Sequence, residues 1–197
     1  IVGFFTRHAF MQNDRTEQSW VASIDYRTLE SEFGQKTSIK YSDGSRIVLN
    51  ANSSMRLPQK AVGTDTMQVW LDGEALFDIV RKPESRSRTF IVHTRDGSVS
   101  VLGTKFAVNT TKSQSQLVLE EGSVRIDVSK NAKDIDLNYT MVPGDLALFS
   151  HGSDEIKVRQ VNAEVYTSWA GDTLILDGTP GFAARWTNSR DFLLVRS

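Results

Sequence analysis

Apolar residues along this chain recur at every second position in short runs, and polar turns, most of them centred on glycine, separate the runs. Thr37, Ile39 and Tyr41 alternate, Ser42-Asp43-Gly44-Ser45 interrupts them, and Ile47-Val48-Leu49 resumes. Val69 and Leu71 lead into Asp72-Gly73-Glu74, with Leu76, Phe77 and Ile79 beyond. Phe90-Ile91-Val92-His93-Thr94 answers them after a loop too polar to be buried. A period of two marks half-buried strands, and Asp-Gly between such runs is a strong hairpin signal because glycine tolerates positive φ. The block from Val69 to Asn109 is therefore expected to be a run of antiparallel hairpins. Similar turns at Gly97, Gly122 and Gly144 extend the pattern. Strands at this spacing predict an all-β domain, an antiparallel β-sandwich or jelly-roll-like β-roll, rather than alternating β and α units. The echoes SDGSRIVL, RDGSVSVL and EEGSVRID share turn chemistry rather than a repeat unit, so a solenoid stays an open alternative.

The ends read differently. Residues 1–27 lack a clean period and are expected to form an N-terminal arm. Ile1 to Phe5 is apolar but far shorter than the about 20 residues that span a bilayer, so it reads as an apolar strand or arm, with the stub of a membrane helix as the alternative. Residues 28–161 hold the strand pattern, with Lys130 to Asn138 as a polar connector. Residues 162–197 change character: Leu174-Ile175-Leu176 suggests a strand. Thr179 and Pro180 suit the N-cap and first position of a helix through Trp186, and Phe192 to Val195 suggests another strand. That is a partial βαβ-type segment.

Charge and composition narrow the functions. The 23 Lys and Arg against 24 Asp and Glu leave no field to recruit nucleic acid or an anionic membrane, and the absence of cysteine removes disulfides, thiolate metal sites and cysteine nucleophiles. His8, His93 and His151 lack the spacing of a zinc site, and His93 is expected to be half-buried and hydrogen-bonded across the strand ladder. Asp43, Asp72, Glu74, Asp78, Asp96, Glu120, Glu121 and Asp145 fall mostly in or beside glycine turns, where carboxylates bond local backbone N–H groups. Leu102-Gly103-Thr104-Lys105-Phe106 lacks the glycines of a phosphate loop and leads into a strand. No catalytic, metal or cofactor residue is assigned. Trp70, Phe77, Phe90 and Phe106 are expected to face the core. Trp20 and Trp169 are left to packing of the flanking segments or to a docking surface.

The segments DGSRIVLNANSSMRLP, LDGEALFDIV, FIVHT, VLGTKFAV and LEEGSVRI, in that order, resemble the periplasmic sensor domain of the FecR family over roughly residues 28–150. About 30 residues after Val161 resemble the opening of the small STN-like domain that follows it in relatives. The resemblance implies a non-enzymatic role as the periplasmic part of a single-pass inner-membrane anti-sigma factor. Such a protein contacts the signalling domain of an outer-membrane TonB-dependent transporter during nutrient uptake. It holds an extracytoplasmic-function sigma factor through a cytoplasmic region outside this chain. The residues expected to meet the transporter are Tyr166, Trp169, Leu174, Leu176, Phe182 and Trp186. With the STN-like part incomplete, binding by this chain is expected to be weak or absent. A carbohydrate-binding or adhesin-like β-sandwich is the alternative, and an enzyme on a cupin-like roll a more distant one.

Overall fold

The computed structural model describes residues 25–59, 65–83, 88–128, 137–153 and 155–171. Among the described residues, fourteen strands form two seven-stranded sheets packed face to face. The first sheet holds β1 (Tyr26–Ser31), β4 (Ser53–Pro58), β5 (Thr66–Asp72), β7 (Thr89–His93), β8 (Ser98–Val101), β11 (Val124–Val128) and β12 (Leu137–Met141), in that spatial order. In the second, β2 (Thr37–Lys40), β3 (Arg46–Leu49), β6 (Glu74–Ile79), β9 (Thr104–Asn109), β10 (Ser115–Glu121), β13 (Asp145–Phe149) and β14 (Lys157–Gln160) follow one another. Both sheets therefore run in chain order, and the backbone coils from one end of the sandwich to the other. The all-β sandwich expected from the sequence is the observed fold.

The core fills the space between the sheets, as period-two alternation requires. Ile47, Met55, Val69, Phe77, Phe90, Phe106, Leu117 and Ile126 belong to one buried cluster drawn from both sheets. Phe77 lies at its centre, stacked on Phe106 at 5.0 Å and tilted against Phe90 at 5.8 Å.

Glycine turns serve two purposes here. Those at Gly44 and Gly97 close hairpins, β2 to β3 and β7 to β8. At Gly73, Gly103, Gly122 and Gly144 the chain instead turns a corner and enters the opposite sheet. The hairpin expected across Asp72-Gly73-Glu74 is therefore absent. A single residue separates β5 from β6, too few for the two-residue loop of a tight hairpin. Strand β6 pairs with β3 and β9, and β7 returns to lie parallel to β5, Val69 opposite Val92. Gly73 has φ +111°, and a Cβ there would sit 2.4 Å from Ser53 Oγ. Thr110 pins the corner, its backbone N–H donating to the Gly73 carbonyl and its Oγ1 accepting from the Gly73 N–H, both at 2.8 Å.

Beyond β14, Asn162 caps the short helix α1 (Ala163–Thr167) by accepting from the Glu164 N–H, and a 3-10 turn follows at Ser168–Ala170. This segment lies on the outer face of the second sheet, where Trp169 and Ala170 cover Val48, Leu76 and Ala107. Central strand β6 is thus buried on both faces over Glu74 to Phe77. No helix of the described residues is long and apolar enough to cross a membrane.

Candidate functional site

Three of the carboxylates singled out in the sequence, Asp43, Asp96 and Asp145, lie at turns and bond backbone N–H groups there. Asp43 accepts from the Ser45 N–H at 3.0 Å and pairs with Lys82 at 2.8 Å. Asp145 accepts from the Val142 N–H at 2.9 Å. Asp96, only 6% exposed, takes a 2.6 Å bond from Ser115 Oγ and a 3.2 Å bond from the His151 N–H, with Arg95 alongside at 3.3 Å. Burial pushes the Asp96 carboxyl upward, but these donors outweigh it and hold it below the usual range. Among the described residues, no three His, Cys, Asp or Glu side chains converge as metal ligands would.

The aromatic residues divide differently from expectation. Phe77, Phe90 and Phe106 are buried in the core, whereas Trp70 stands half-buried on the outer face of the first sheet. Its strand neighbours Val69 and Leu71 point inward, so the intervening side chain must point out. There Arg56 of β4 lays its guanidinium 4.5 Å from the Trp70 ring, and His93 of β7 stacks against the indole from the opposite neighbour, 4.9 Å away and 22° from parallel. Tyr26 meets the same ring edge-on at 5.3 Å. His93 Nε2 bonds Gln68 Oε1 of β5 at 2.8 Å, the cross-strand bond expected of it, and partial burial lowers its pKa. With a cation on one side and an imidazole on the other, the indole offers no free face on which a sugar could stack, and the stack reads as a surface brace. The sequence carried the signal: Arg56, Trp70 and His93 have the outward parity of their strands.

Of the residues expected to meet a partner, only Tyr166 and Trp169 fall among those described; Leu174, Leu176, Phe182 and Trp186 lie outside them. Trp169 is 1% exposed and packs onto the second sheet, so in this structure it anchors the C-terminal segment. Lys36 donates to its carbonyl, and Arg46 donates to that of Ala170 at 3.4 Å, fixing the segment over the β2–β3 hairpin. Tyr166 is half-buried, and its hydroxyl accepts from Arg159 at 3.2 Å. Beside the segment runs a polar groove of about 310 Å³ whose lining includes Arg46, Asp78, Lys105, Glu120 and Glu164. Lys105 and Glu120 pair across it at 2.5 Å. This end of the molecule presents a surface of mixed charge beside an anchored chain.

A sequence profile described as FecR protein matches residues 27–125, about half of the chain. The chain belongs to the FecR family. Two crystal structures of a proposed anti-sigma factor from Parabacteroides distasonis ATCC 8503, at 2.50 and 1.65 Å resolution, share its fold. Each aligns with a TM-score of 0.61 and 25% identity, covering 73% of this chain and 64% of the other. This FecR chain thus spans less than two thirds of the proteins it resembles. No curated protein matches it. The match to the FecR profile takes in β1 to β10 and the start of β11, the greater part of both sheets.

Proposed function

We propose that this chain is the periplasmic region of a single-pass inner-membrane anti-sigma factor. It relays the state of an outer-membrane TonB-dependent transporter to an extracytoplasmic-function sigma factor, which a cytoplasmic region of the same protein holds. The observation that carries the reading is the FecR match over residues 27–125; the likeness to the Parabacteroides protein supports it. The role is regulatory and works by protein contact rather than catalysis. On this reading the segment from Tyr166 onward, held down by Trp169, carries the contact with the transporter's signalling domain. Tyr166, Leu174, Leu176, Phe182 and Trp186 supply it, and Trp169 positions it.

The test is a reporter driven by the cognate sigma factor in cells that carry the full-length protein and its transporter. Deleting the region that corresponds to this chain is expected to uncouple the reporter from the transported nutrient. A reporter that still follows the nutrient after the deletion would overturn the reading.

A further inference from the structure

We propose that the end of the sandwich beside the β2–β3 turn is a binding site for a small monocarboxylate whose apolar body is about the size of a benzene ring. A cavity of about 160 Å³ lies there, lined from both sheets. Met67 of β5 and Phe90 of β7 wall it from the first sheet, and Ile79 of β6 and Tyr41, just past β2, from the second. Phe90 is core and leans against Phe77 at 5.8 Å, whereas Met67, Ile79 and Tyr41 are only partly buried against the core. The core is thus incompletely filled at this end. The room left is close to the about 150 Å³ of an apolar cavity that takes up benzene.

Two polar side chains of this lining have bonds left to make. The Tyr41 hydroxyl is buried and has no hydrogen-bond partner among the described residues. A buried hydroxyl left unbonded costs free energy, so an occupant that accepts from it is favoured. Burial, only partly offset by the charge of Arg27, pushes the Tyr41 pKa up to about 12, so the hydroxyl stays protonated at neutral pH and donates. Arg88, half-buried just before β7, lines the same cavity, and among the described residues its side chain forms no ion pair and no hydrogen bond. Asp43, the one carboxylate of the described lining, is already committed to Lys82 at 2.8 Å and to the Ser45 N–H at 3.0 Å. Asp43 and Lys82 cancel, and Arg88 leaves the cavity one net positive charge.

These features select the ligand. A guanidinium holds a carboxylate through two parallel N–H···O bonds, and the Tyr41 hydroxyl supplies a further donor. A cation would meet Arg88 and Lys82 as like charges. A second carboxylate on the ligand would be buried against Met67 and Phe90 without a partner, at a large cost. The walls are also held before any ligand arrives: the Val80 N–H donates to Ser45 Oγ at 3.1 Å, and the Tyr41 N–H to the Ser45 carbonyl at 2.8 Å. Little ordering is then left to oppose binding. The Asp43 and Lys82 side chains, 32% and 33% exposed, bring the rim of the cavity to solvent. The site is separate from the Tyr166 segment and does not rest on the anti-sigma reading.

The test is calorimetric titration of the whole chain with benzoate, beside benzyl alcohol and benzylamine, which keep the ring and replace the carboxylate by a neutral or a cationic group. Benzoate is expected to bind with a Kd below about 1 mM and about tenfold or more tighter than either analogue. Arg88→Gln should weaken benzoate about tenfold, and Tyr41→Phe about threefold, the sizes expected for a charged and a neutral hydrogen bond. In the ligand-free chain Tyr41→Phe should leave the melting temperature unchanged or raise it, because it removes an unbonded buried hydroxyl. Arg88 is half-exposed and outside the core, so its variant keeps the test valid if Tyr41→Phe disturbs folding. No heat of binding at about 10 mM benzoate, affinity that Arg88→Gln leaves unchanged, or equal binding of benzyl alcohol would each overturn the proposal.

Discussion

The imidazole of His93 lies nearly flat against the indole of Trp70, with 4.9 Å between ring centroids. The two residues are directly opposite in the parallel β5–β7 pair, the cross-strand position where side chains stabilise a sheet. A double-mutant cycle of Trp70→Ala and His93→Ala, read by urea denaturation, should give a coupling of about 0.5–1.5 kcal/mol, the range for aromatic pairs. Additive losses would mean that the stack contributes nothing to stability.

Partial burial lowers the pKa of His93 from 6.5. The folded state therefore holds this proton less firmly than the unfolded chain. Stability tied to neutral His93 is complete above the unfolded value and is lost as pH falls through the lower folded one. Between about pH 7 and about pH 5, the wild-type melting temperature should fall more than that of His93→Gln. Parallel pH profiles would assign the loss to other groups.

Gly73→Ala should be among the most damaging single substitutions in the molecule. It places a Cβ 2.4 Å from Ser53 Oγ and 2.7 Å from Ser53 Cα, at a φ that L-residues disfavour. The loss expected is more than about 3 kcal/mol, because backbone strain and a clash with main chain add. Gly34→Ala, also at positive φ but with nothing within 4 Å, should cost about 1 kcal/mol. Equal losses in denaturant titrations would refute the corner as a tight contact.

Trp169→Ala should cost about 3–5 kcal/mol by opening a cavity on the second sheet. Trp169→Phe should cost much less. Among the described residues the buried indole Nε1 has no hydrogen-bond partner, so removing that donor offsets part of the lost packing. Hydrogen exchange at residues 163–170 should rise in the alanine variant alone, marking release of the segment.

Much of the fold was written in alternation. Ile47, Leu49, Val69, Leu71, Phe77 and Phe106 have the inward parity that the runs imply, and all are core. Two features defeated local reading. Turn chemistry specifies a bend in the chain but not which strand lies beside it, so Gly44 and Gly73 look alike in sequence while one closes a hairpin and the other a corner. Trp70 was drawn toward the core by its hydrophobicity, although Val69 and Leu71 on either side leave it only the outer face. The candidate surfaces were less legible still. Trp169 is buried against Val48, Leu76 and Ala107, which are distant in sequence.

Because both sheets run in chain order, the strand ladders join each turn of the coil only to its neighbours, and the segment at Trp169 is the tie that reaches back to β3 and β6. Cooperativity along those ladders passes from neighbour to neighbour, as in repeat proteins. A disturbance carried by the ladders from the β12–β14 end would loosen β10 and β11 before it reached β3 or β4, and a pull on either terminus would peel strands in sequence rather than shear the sandwich at once. The architecture gives the molecule a direction, with a near end and a far end that can hold different local stabilities within one continuous core.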